Sequence, residues 1–177
     1  MYTNNITSAY FMDVNIFGTT NKKLIQLLEE ATGFYAHYLM KPRTVRRLKI
    51  DIEVTPYRKM EEQGAVLNED THKRYPSNFI VELRRAKPED TDMFKVLAHE
   101  MVHVKQYAKN ELATNWKVCD QTGSLRPQYM WRNSEWVSDP EHHAYFDLPW
   151  EEEAYNLEVK MHSAWLAHKT QFLRNLA

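Results

Sequence analysis

The sequence predicts an α+β domain, a small antiparallel sheet packed on a central helix and a long C-terminal helix. Three observations carry it: a period-two run at Leu48, Ile50, Ile52 and Val54, a helical stretch from Met93 to Ala108 without Gly or Pro, and another beginning at Pro149.

Residues 21–40 place Leu24, Leu27, Leu28, Ala31, Tyr35 and Leu39 at helical spacing, with Gly33 weakening the centre and Lys41-Pro42 ending the run. The apolar positions from Leu48 to Val54 alternate with Lys49, Asp51 and Glu53, the pattern of a half-buried strand. Gly64 to Leu67 and Asn78 to Arg84 read as two further strands. Asp90, Thr91 and Asp92 then offer a start for the helix that reaches Ala108. Glu111 to Leu148 is irregular and rich in aromatic residues. Within it, Gln128 to Val137 reads as a hairpin, its polar turn lying between arms that carry Tyr129, Trp131 and Trp136. Those rings pack the hairpin on the core in the simpler reading and line a substrate groove in the alternative. The last helix runs from Pro149 to about Leu173, and Glu151, Glu152 and Glu153 in its first turn suit the positive end of the helix dipole.

At 177 residues, 43% of them hydrophobic, the chain is read as one domain spanning residues 1–177 with a real core. Its net charge of −1 argues against a dedicated nucleic-acid binder, although Lys41, Arg43, Arg46, Arg47 and Lys49 gather locally, as do Arg84, Arg85 and Lys87. A single cysteine, Cys119, rules out an internal disulfide framework and fits a reducing compartment. The N-terminal residues lack a basic segment followed by a continuous apolar run, and no stretch approaches the roughly 20 apolar residues that cross a bilayer. The expectation is a cytoplasmic protein with no membrane partner.

His99, Glu100, Met101, Val102 and His103 form an HExxH sequence inside the second helical stretch. Residues four apart on a helix lie one turn above each other, so both imidazoles can grip one zinc ion, Zn2+, while Glu100 stands beside them as a general base. With His99 set at zero, Leu97, Met101, Val104 and Ala108 cluster at about 180 degrees and make an apolar stripe that points away from the histidines. A helix packed on one side and presenting ligands on the other fits a metal site.

Catalytic zinc takes three protein ligands and leaves a position for water. Lys109 stands six residues beyond His103 and Tyr107 four beyond, so the same helix supplies no third ligand. The first turn of the last helix is the better source. Relative to its stripe of Ala154, Leu157, Met161, Ala164 and Trp165, Glu152 points away, while Glu151 and Glu153 flank the stripe and both stay possible.

HEMVHVKQY followed some fifty residues later by PWEEEAY resembles the small HExxH zincin metallopeptidases whose third ligand is a glutamate, the gluzincin arrangement. It is particularly similar to short metallopeptidases of bacteriophage and bacterial genomes, related at a distance to SprT-like and ImmA-type proteins. The likeness covers mainly residues 90–165 and implies a minimal zincin-like domain. In that family a small residue three positions beyond the glutamate lets the helices approach. Glu151 with Ala154 matches and Glu153 with Asn156 does not, so the resemblance implies Glu151 as ligand and Glu153 as the alternative. The third helix-borne histidine of SprT-like proteins is missing.

The activity implied is hydrolysis of a peptide bond in a protein or peptide substrate, with Glu100 accepting the proton of a metal-activated water. Tyr155, Tyr145, His142 and His143 are the candidates for contacting the oxyanion or substrate. Two other readings stand beside it: a zinc-stabilised regulatory or interaction module without catalysis, and a protease acting on DNA-bound proteins, motivated by Arg46 and Arg47.

Overall fold

A computed structural model describes residues 12–85, 92–118, 123–135 and 147–175. Its elements are β1 (Asp13–Phe17), α1 (Lys22–Leu39), α2 (Pro42–Val45), β2 (Lys49–Thr55), β3 (Gly64–Asn68), β4 (Asn78–Arg84), α3 (Met93–Ala108), β5 (Leu112–Val118), β6 (Leu125–Trp131), β7 (Ser134–Glu135) and α4 (Pro149–Asn175). The class is α+β, with the long C-terminal helix expected from the sequence.

The main sheet is mixed, ordered β1-β2-β4-β3. β1 and β4 run parallel to β2, and β3 alone is antiparallel to its neighbour β4. The expected antiparallel sheet is therefore corrected. β1, a five-residue strand that the sequence pattern does not announce, feeds α1, and a helical crossover returns the chain in its original direction. The register aligns Ile50 with Phe79, Ile52 with Val81 and Val54 with Leu83, so one face of the sheet is a continuous apolar surface. Helices α1 and α3 cover that face, and α4 crosses both.

The elements begin and end for local reasons. Asn21 caps α1 by accepting from the amides of Lys23 and Leu24, and Asp92 caps α3 by accepting from that of Phe94. Lys41-Pro42, expected as a break, opens the short helix α2. At the end of α3, Asn110 adopts a φ of 56° while the amides of Asn110 and Glu111 donate to the carbonyls of Tyr107 and Gln106. That Schellman closure stops the helix and sends the chain straight into β5.

β5, β6 and β7 form a separate antiparallel sheet. The region from Glu111 onward is thus more regular than its sequence suggests, because cross-strand pairing supplies what periodicity does not. The hairpin expected from Gln128 is present over its described part. Arg132 and Asn133 turn it at φ 48° and 67°, the positive values that a two-residue hairpin turn requires. Tyr129 and Trp131 pack on Trp150, with ring centroids 5.3 and 6.3 Å away, in a small cluster with Leu112 and Leu148. Asp90, Thr91, Cys119, Trp136, Val137, His142, His143 and Tyr145 lie outside the described residues. No described helix is long and apolar enough to cross a membrane.

Candidate metal centre

The apolar stripe of α3 is buried as predicted, with Leu97, Met101, Val104 and Ala108 all inside the core. The opposite side of the helix is buried too, by α4. His99 and His103 are each 8% exposed, Glu100 is 6% and Glu151 is 3%. The ligand side is therefore a polar helix–helix interface with a cleft at its edge.

One helical turn separates the two histidines and leaves their rings 4.9 Å apart, with the Nε2 atoms at 3.2 Å. Glu151, in the first turn of α4, closes the triangle: one carboxylate oxygen lies 3.2 Å from His99 Nε2, the other 3.4 Å from His103 Nε2. Ala154 beside it is fully buried where the helices meet, which is the small contact that their close approach needs. These three side chains form a group able to hold a metal ion.

The rings are locked from behind by residues the sequence reading did not single out. His99 Nδ1 lies 3.0 Å from Glu158, a carboxylate that can only accept. Glu158 also pairs with Lys95 at 3.2 Å. His103 Nδ1 lies 2.9 Å from Gln106 Oε1. The amide of Gln106 is oriented by its other end, since Nε2 donates to the carbonyl of Trp150 and to Glu153, both at 2.9 Å. Both imidazoles thus carry their hydrogen on Nδ1, and both Nε2 lone pairs face Glu151. Glu158 was legible in principle: it sits seven residues beyond Glu151, two turns along the same side of α4.

Glu153, the alternative ligand, is engaged elsewhere. Its carboxylate accepts from Lys105, Gln106 and Arg132, each at 2.9 Å, and stands behind the site as an anchor. Glu152 is exposed.

Three electron-pair donors converging in a buried space repel one another unless positive charge lies among them. Without metal a proton supplies it. Burial alone would lower the pKa of His99, but its contacts with Glu151 and Glu158 outweigh this and raise it to about 9. Burial would likewise raise Glu151, and its contacts with His103 and His99 instead hold it at about 2. The donor set therefore fits a divalent cation, two imidazoles and one carboxylate being a normal complement for zinc with one position open.

Glu100 points to the cleft side. Burial raises its carboxyl to about 7, against the opposing pull of His103 and His99. The edge strand β3 presses on it. Gly64 faces α3 from the core side of the sheet, and a Cβ there would stand 2.5 Å from Glu100 Oε1 and 2.7 Å from Val96 Cγ1. Glycine keeps that space open. Tyr155, one turn beyond Glu151, lays its ring 4.7 Å from that of His99 and borders the same cleft. Of the four expected oxyanion or substrate contacts it is the one within the described residues. The basic residues from Lys41 to Lys49 sit at the other end of the sheet: Lys49 pairs with Asn78, whereas Gly64 pairs with Leu83. No family model, curated protein or solved structure matches the chain.

Proposed function

We propose that the protein is a zinc-dependent metallopeptidase of the glutamate-ligand zincin type, with His99, His103 and Glu151 as metal ligands and Glu100 as general base. The observation that carries this reading is the convergence of those three ligand atoms, all within 4.8 Å of one another, beside a carboxylate that lines an open cleft. A purely structural zinc site has no use for Glu100 and fills its fourth position with Cys or His. When bound, zinc would polarise a substrate carbonyl and make a water in the open position more acidic.

The protein's own groups do the rest. Glu158 and Gln106 hold the imidazoles so that their lone pairs stay aimed at the metal position. Glu100 removes a proton from the attacking water as its oxygen bonds to the carbonyl carbon, and returns that proton to the amine nitrogen as the C–N bond breaks. Burial pushes this carboxyl up while positive charge at the ligand side pulls it down, so the same group can take and return a proton. Tyr155 borders the same cleft, and in this reading its hydroxyl would donate a hydrogen bond to the carbonyl oxygen as that atom gains charge.

Metal analysis of the purified protein with three variants tests the assignment. The expected result is one zinc per chain in the wild type and in Glu100→Gln, with peptidase activity lost in the latter by about a hundredfold or more. Glu151→Ala is expected to lose metal and Glu153→Ala to keep it. A wild type that binds no zinc would sink the enzyme reading, and the reverse behaviour of the two glutamate variants would sink the ligand assignment.

A further inference from the structure

The cleft beside the triad is divided at Glu100 and Gly64, which border both halves. One half, about 480 Å3, contains His99, and the other, about 410 Å3, contains His103 and Glu151. A peptide lying across the metal position would place one flanking side chain in each, and either volume accommodates a large side chain.

The two halves are chemically unlike. The His103 half is walled by Val66, Leu112, Tyr129, Leu148 and Trp150, which present apolar and aromatic surface. Leu148 and Trp150 are themselves buried and Tyr129 is packed on Trp150, so this wall is preformed and needs no ordering on binding. The His99 half is the more polar of the two, bordered by Glu62, Gln63, Lys95 and Glu158 beside Val96 and Tyr155. Lys95, the lysine among its described lining residues, is paired with Glu158, which also holds His99. Glu62 is different. It is exposed, it borders both halves, and it is near enough to act on the charge of Glu100. With Lys95 engaged by Glu158, Glu62 is the exposed carboxylate that an incoming cationic side chain would meet at this border.

We propose that this cleft selects peptides carrying an apolar or aromatic side chain on one side of the cleaved bond and a Lys or Arg side chain on the other. Leu112, Tyr129, Leu148 and Trp150 receive the first, and Glu62 attracts the second. The inference rests on the peptidase reading for its cleavage arm alone, since selection by the cleft is also a statement about binding.

The test uses zinc-loaded full-length protein and a peptide library varied at the residues flanking each bond, read by mass spectrometry. Cleavage is expected to concentrate where Leu, Phe or Tyr stands on one side and Lys or Arg on the other. For such peptides Glu62→Gln is expected to raise KM about threefold and Glu62→Lys about tenfold, with zinc content at the wild-type level. In parallel, binding of the same peptides to the non-cleaving Glu100→Gln variant, and its loss on adding Glu62→Lys, is measured by calorimetry. Binding to Glu100→Gln that ignores the flanking residues, or a preference for basic peptides that survives Glu62→Lys, overturns the inference. Selective binding without any cleavage by the wild type upholds the selection and defeats the peptidase reading.

Discussion

The two sides of α3 are buried to nearly the same degree and held by opposite chemistry. Toward α1 and the sheet, Leu97, Met101 and Val104 pack into a dry apolar core. Toward α4, His99, His103, Lys105 and Gln106 are buried among Glu151, Glu153 and Glu158. The apolar side is stabilised by area removed from water, which tolerates any partner of suitable shape. The polar side tolerates burial because Lys105, Gln106 and Glu153 pair donor with acceptor, while the triad brings three electron-pair donors together and needs positive charge, a proton or a metal, among them. That convergence of donor atoms within a buried polar interface is what marks the point as able to hold a cation.

Mutation separates the two sides. Met101→Ala, on the apolar side, is expected to cost about 2–5 kcal/mol of folding stability, measured by denaturant titration, while the folded fraction keeps its zinc affinity. A fall in affinity alongside stability would mean that the two sides are not independent.

Glu158→Ala, on the polar side, should do the converse. Zinc affinity is expected to drop about 10–100-fold by chelator competition, because the His99 ring loses the acceptor that sets its orientation. Glu158→Gln, which keeps an acceptor and loses only the charge, is expected to fall between that variant and wild type. Affinities indistinguishable from wild type in both variants would remove Glu158 from the metal-holding apparatus.

The smallest effect is expected from pH, and it bears on the polar side alone. The His99 pKa is raised in the folded metal-free protein, so its contribution to stability is fully present below about 6.5 and is lost as pH rises toward 9. Glu151 is depressed, so its contribution is present above about 4.5 and is lost as pH falls toward 2. The metal-free protein should therefore show its Tm declining between pH 6.5 and 9, and the zinc-loaded protein should not, since metal replaces the proton. A flat Tm for the metal-free form over that interval would contradict the proton-for-metal exchange.

How much of this was legible differs from residue to residue. The run from Leu48 to Val54 reads as a strand because alternation is local, and the capped start of α3 is visible as Asp92. β1 escapes notice because five residues carry too little pattern, and β5 because Trp116 and Val118 in its outer half are exposed and so break the expected correspondence between apolar sequence and core. Gly33, read as a weak point, is buried inside α1 without interrupting it, since tertiary packing overrides a small propensity cost. The parallel pairing of β1 and β4 with β2 depends on which strand lies beside which, and alternation within a strand says nothing about its neighbour's direction.

By itself the sequence determined what helical pitch governs: that His99 and His103 share one side of α3, that its apolar stripe lies opposite, and that Glu152 points away from the apolar stripe of α4. It also left Glu151 and Glu153 as the two glutamates flanking the stripe of α4, either able to reach the histidines. Only the tertiary structure decided between them, placing Glu151 against both imidazoles and Glu153 against Lys105, Gln106 and Arg132. It likewise brought Glu158 behind His99 and Gly64 against Glu100. The pitch of a helix is fixed by backbone hydrogen bonds within a few residues, whereas the rotation and crossing of two helices are fixed by side chains far apart in the chain.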